Sequence, residues 1–222
     1  MTIAILIAEL VLLYLVSRRV IRSLFTLLYS LLGSRTGAIW IVTIIFFPGT
    51  VVHELAHLFV AELLGVPTGK LSLVPESLEG SEVKAGGVMI ASTDPLRRTL
   101  IGLAPVYVGI GALSVLSYFL SSSPNPYSSF FILYSLFSIS NSMFSSSEDI
   151  NGVLPFTVTT ALFLIAGWAA GLRIGLADTL IAKLASLTAI LVQSLGLVLG
   201  LNLIVLFVNS LILVFVTPKP RA

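Results

Sequence analysis

Residues 38–64 read AIWIVTIIFFPGTVVHELAHLFVAELL, an apolar run broken in its second half by His53-Glu54-Leu55-Ala56-His57. An α-helix rises about 1.5 Å per residue, so about 20 apolar residues cross a hydrocarbon core of about 30 Å. The run is long enough to span, and Gly65 and Pro67 supply an ordinary helix stop. On a helix, positions four apart differ by about 40° in azimuth, so His53 and His57 project along nearly one line, with Glu54 on the same broad face. An ionisable side chain at membrane depth is costly and is by default a functional candidate. This stretch is therefore read as a membrane-spanning helix that carries chemistry.

The rest of the chain agrees with a bilayer environment. Of 222 residues, 57% are hydrophobic and only 10% charged, against the roughly 25% charged residues of soluble domains. The length fits one integral membrane domain covering residues 1–222, with no stretch polar and long enough for a separate soluble module. A net charge of +2 from thinly spread residues gives no basic face for nucleic acid. There are no cysteines, which excludes disulfides and thiolate ligands and leaves His, Asp and Glu to hold any metal. Met1–Val16 lacks the basic start and small-residue cleavage site of a signal peptide and is read as retained.

The pattern predicts an all-α, multi-pass membrane protein of about six spans, with a small β-hairpin between the second and third. Thr2–Val16 is short and contains Glu9; it continues through Arg18, Arg19 and Arg22 either as one tilted helix to Leu32 or as a short hairpin. Ala38–Leu64 is the second span. Within residues 66–95, Lys70–Pro75 and Lys84–Ala91 read as two strands around an acidic turn. Arg97–Leu120, Phe130–Phe144 and Leu154–Leu172 follow as spans. Thr179–Val216 is too long for one simple span and is expected to break, at an interfacial turn or near Gly196 and Gly200. Lys and Arg divide evenly between the two sides, so the positive-inside rule sets no orientation.

Two neutral imidazoles at i and i+4 on one helix face can both bind zinc, with the glutamate between them as general base. Glu54 can take a proton from an attacking water and pass it to a leaving amine. The chain has only two histidines, and both fall in this motif. A catalytic zinc, one per chain, needs a third protein ligand. Glu62 points about 180° and 140° away from His53 and His57 around the helix. Glu76, Glu79, Glu82 and Asp94 read as solvated loop charges. Asp149 is the choice, with Glu148 in reserve. Both directly follow a hydrophobic span, in a Ser- and Gly-containing stretch that can line a wet cavity at membrane depth.

At this point the chain resembles the site-2 protease family of intramembrane zinc metalloproteases, over about residues 40–152 (a catalytic core of about 38–156). That family pairs an HExxH helix with a later segment of pattern N-x-x-P-x-x-P-x-D-G. Here Asn141 stands eight residues before Asp149, with Phe144 and Ser147 at the proline positions and Ile150 after the aspartate. Gly86-Gly87-Val88 looks like the family's strand near the active site, and Gly102-Leu-Ala-Pro105 like the small-residue run that opens the next span. The resemblance implies zinc on His53, His57 and Asp149, with Glu54 as general base. It further implies that Asn141 orients substrate or stabilises the oxyanion, and that a transmembrane protein is the substrate. A membrane-spanning substrate must unwind to expose a peptide carbonyl, and the Gly86–Ala91 strand offers an edge to the freed backbone.

Two other functions fit the same residues. One is a membrane zinc hydrolase acting on another amide or on a soluble peptide. The other is a non-enzymatic scaffold or metal transporter, in which Glu54 is replaceable. For Asn141 the alternative is a helix–helix hydrogen bond, and for Gly196 and Gly200 it is close helix packing.

Overall fold

The computed structural model describes residues 2–73, 76–77, 83–84, 87–122, 125–144, 162, 165–167, 169–171 and 178–216. Within them the chain is mostly helical: α1 (Thr2–Leu32), α2 (Arg35–Leu63), α3 (Pro95–Gly102), α4 (Ala104–Ser122), α5 (Pro126–Ser142) and α6 (Asp178–Val216). Three segments are long and apolar enough to cross a membrane, Arg35–Leu63, Pro95–Leu120 and Ala185–Val216, which is consistent with a membrane protein. Of these, the α2 segment is the most enclosed and the α6 segment the most exposed. Most of the expected span Leu154–Leu172 lies outside the described residues.

Local chemistry sets the helix ends. Ser34 caps α2, its hydroxyl accepting from the Gly37 amide. At the far end Gly65 adopts φ +69°, and the Val66 N–H returns to the Ala61 carbonyl at 2.8 Å. A left-handed residue there suits glycine, which closes the helix where the sequence predicts. Asn125 caps α5 and Pro126 occupies its first turn, so this helix starts earlier than the hydrophobic run alone suggests.

The hairpin region forms two small antiparallel pairs. β1 (Thr68–Ser72) pairs with β4 (Gly87–Ile90), with Leu71 opposite Val88, Ser72 opposite Gly87 and a register shift after Thr68. β2 (Glu76–Ser77) pairs with β3 (Val83–Lys84). β4 also contacts α2, which sets the hairpin against the helix that carries the histidines.

Two expectations are resolved by continuity. α1 is a single helix of 31 residues in which Arg18 donates to the Tyr14 hydroxyl at 2.9 Å, so no hairpin turn interrupts it. α6 is likewise unbroken over 39 residues, where a turn or a break near Gly196 and Gly200 was expected. A glycine pair in a helix weakens it by only about 1 kcal/mol per residue, too little to break a long apolar helix packed against α1.

The core sits where α1, α4, α5 and α6 meet, built from Leu13, Leu113, Leu136, Ile139, Met143, Leu195 and Val198. A smaller cluster of Ala61, Val66 and Ile101 joins the end of α2 to α3.

Candidate metal centre

α2 carries the motif along its most buried stripe: Gly49, Thr50, His53, Glu54, Ala56, His57 and Ala61 are all buried. His53, Glu54 and His57 are each only 5–6% exposed. The two imidazole rings lie nearly perpendicular, at 82°, and their Nε2 atoms approach to 3.2 Å. That separation is a test of fit. Two nitrogen ligands about 2.05 Å from one tetrahedral zinc are separated by about 3.3 Å. The spacing fits a shared zinc ion and equally an imidazole–imidazole hydrogen bond in the metal-free protein.

The other side of His57 fixes which nitrogen is available. Its Nδ1 lies 2.8 Å from the Ile101 carbonyl oxygen at the end of α3. A carbonyl only accepts, so Nδ1 carries a proton, and in the neutral ring Nε2 is then the nitrogen with the lone pair. Metal-ligating histidines are commonly oriented by this kind of contact. Ile101 was not singled out from sequence, because its contribution is a main-chain oxygen 44 residues from the histidine.

Upstream of the motif, α2 is locally opened and repaired by α5. Pro48 has no N–H, which leaves the Ile44 carbonyl without its helical donor. The Tyr134 hydroxyl fills the breach, donating to the Ile45 carbonyl at 3.0 Å with Ile44 at 3.4 Å. The Gly49 N–H donates to Ser138 Oγ at 2.9 Å. Neighbouring side chains satisfying backbone freed by proline is the usual way such helices persist in lipid. A Cβ on Gly49 would overlap the Ser138 carbonyl and lie 2.5 Å from Ser142 Oγ, so α2 and α5 touch backbone to backbone here. Tyr134 meets Ile45 and Ser138 meets Gly49, contacts that step along both helices in the same sense. Ser142, the last residue of α5, turns its Oγ back to the Phe46 carbonyl at 3.5 Å and against Gly49, so α5 ends beside α2 within about one turn of His53.

Asn141 is buried at 1% exposure in the junction of α1, α5 and α6. Its amide donates to the Phe137 carbonyl at 2.7 Å and to Asn202 Oδ1 at 2.5 Å. Asn202 in turn donates to Ser140 Oγ, and Ser17 Oγ donates to the Asn141 carbonyl at 3.1 Å. Asn141 Oδ1 has no hydrogen-bond partner among the described residues. The helix–helix bond named as the alternative for Asn141 is thus present. Asn202 stands with Asn209 in a largely apolar stretch of α6, and an Asn in such a run is itself a signal of interhelical bonding.

Among the described residues no group of three or more His, Asp or Glu side chains is placed to hold a metal. Asp149 and Glu148, the candidates for the third position, lie outside them, as does Gly86. Glu62 accepts weakly from Thr68 Oγ1 on the exposed side of α2, in line with its predicted direction away from the histidines. Asp94 caps α3: the Arg97 backbone N–H bonds its carboxylate at 3.0 Å and holds it below the usual carboxylate range, so it is spent as a cap. Gly87 and Val88 lie on β4, half-buried against its surroundings. Comparison of the chain with protein-family models, with curated proteins and with solved structures finds no match.

Proposed function

We propose that this chain is a zinc-dependent intramembrane endopeptidase, a multi-pass protein of about six spans related in mechanism to the site-2 protease family. The observation that carries the reading is the 3.2 Å approach of the His53 and His57 Nε2 atoms on a buried face of α2, with Glu54 buried beside them.

In this reading His53 and His57 present two nitrogen lone pairs, and Asp149 supplies the third ligand, with Glu148 in reserve. α5, running in the same sense as α2 and ending within about a turn of His53, supports that assignment because the chain toward residue 149 departs from there. Zinc, when bound, supplies Lewis acidity, polarising a scissile carbonyl and acidifying water. Glu54 accepts the proton that water gives up and returns it to the leaving amine. Burial of all three side chains keeps bulk water from screening them.

The substrate in this reading is a transmembrane helix that unwinds to expose one peptide bond. β4 pairs with β1 on one edge and, among the described residues, with no strand on the other. Gly87 and Val88 can therefore lend backbone partners to the unwound segment. Asn141 can donate to an oxyanion only by giving up a bond to Asn202 or Phe137, so in the resting arrangement its amide nitrogen holds α5 to α6 while its Oδ1 is the atom left to accept.

The test is reconstitution of purified protein in liposomes with a single-span reporter carrying Gly, Pro or Asn in its span. Cleavage inside the span by wild type, abolished by Glu54→Gln, is the expected result. Equal cleavage by both proteins would overturn the reading.

A further inference from the structure

In a regular helix the carbonyl of residue 101 accepts from the N–H of residue 105. Residue 105 is proline, which has no N–H. The helix does not continue smoothly at this point: α3 ends at Gly102, Leu103 forms a turn, and α4 begins at Ala104. The carbonyl left without its i+4 donor is the one that faces His57 Nδ1 at 2.8 Å, its other neighbour being the Leu103 N–H at the helix cap, which is shared with the Thr99 carbonyl. Ile101 and Pro105 are both buried, so water does not compete readily for that oxygen.

We propose that Pro105 is a positioning residue for His57. By withholding an N–H from the Ile101 carbonyl, it reserves that oxygen for the imidazole, locks the Nδ1–H tautomer and aims Nε2 at His53. An N–H introduced at 105 competes for the same oxygen, releases the ring and leaves both tautomers accessible. The proposal rests on the zinc reading only in treating His57 as a ligand; the tautomer itself is a property of the metal-free protein.

The experiment uses full-length protein in detergent micelles. Nitrogen-15 NMR of the imidazoles reports their tautomers without metal, and His53→Ala assigns the two sets of signals, since the chain has only two histidines. Zinc affinity is measured by competition with a chelator for wild type and Pro105→Ala. The expected result is a His57 held as Nδ1–H in wild type and mixed in Pro105→Ala, with zinc binding weakened about 10–100-fold, the usual consequence of losing such an orienting contact. An Nε2–H His57 in metal-free wild type overturns the proposal, and so does zinc affinity in Pro105→Ala within about threefold of wild type. Should Pro105→Ala fail to fold, Pro105→Ser, which introduces the same N–H, is read by the same two measurements. Should wild type bind no zinc, the zinc reading falls while the tautomer still judges Pro105.

Discussion

Replacing Gly49 by alanine adds one methyl group at the point where α2 and α5 touch. The new carbon would overlap the Ser138 carbonyl oxygen and stand 2.5 Å from Ser142 Oγ. A carbonyl in a helix cannot rotate aside, so the helices must separate by about 1 Å to restore ordinary contact. Overpacking of this kind costs about 1–3 kcal/mol. The separation also stretches the Gly49–Ser138 hydrogen bond from 2.9 Å, and bonds between membrane helices are worth about 0.6 kcal/mol on average. Alanine's better helix propensity returns up to about 1 kcal/mol. The net expectation is a loss of about 1–3 kcal/mol, together with weaker zinc binding, because His53 lies one turn further along the same face. Two sister substitutions calibrate the effect. Gly109→Ala meets Met143 at 3.1 Å, at its backbone-fixed Cβ as well as its Sδ, and Gly111→Ala meets nothing within 4 Å. The first, tight but without overlap, is expected to cost about 1 kcal/mol and the second to be neutral or stabilising. Reversible unfolding in mixed detergent micelles measures all three. Gly49→Ala within about 0.5 kcal/mol of wild type, or less harmful than Gly109→Ala, would refute the close contact.

Glu54→Gln should abolish proteolysis while zinc content stays at the wild-type level, measured on the same preparation, because the residue acts as base and not as ligand. For the buried asparagine pair, a double-mutant cycle of Asn141→Leu and Asn202→Leu should give a coupling of about 0.6–1.7 kcal/mol in unfolding free energy; additive effects would show that the 2.5 Å contact contributes nothing. Tyr134→Phe removes the hydroxyl that serves the breach at Pro48 and should destabilise by about 1 kcal/mol in the same assay. A null result there would mean the Ile44 and Ile45 carbonyls are satisfied by other means.

What the sequence discloses and what it hides separate along a physical line. The long apolar helix α2, its stop at Gly65 and the alignment of His53 with His57 follow from helix geometry over a few residues, and all are legible in the pattern. The hairpin region is also legible, since turn-forming residues and β-branched runs act locally. The orienting oxygen on Ile101, the Asn141–Asn202 bond and the Gly49–Ser138 contact join residues 44, 61 and 89 positions apart. No local pattern encodes such pairings. Pro48 and Pro105 give half of the information, in that each proline marks a carbonyl with an unmet bond, but not which side chain will meet it. α6 departs from its pattern for a different reason. Length and two glycines suggested a break, whereas packing along α1 outweighs the modest helix penalty of glycine.

The central claim is that His53 and His57 hold zinc, and elemental analysis of detergent-purified protein tests it most directly. The account predicts about one zinc per chain in wild type, lost or much weakened in His57→Ala and in Asp149→Ala. Retention in Asp149→Ala would move the third ligand to Glu148 or elsewhere. A folded wild type that takes up no zinc when metal is supplied would contradict the account.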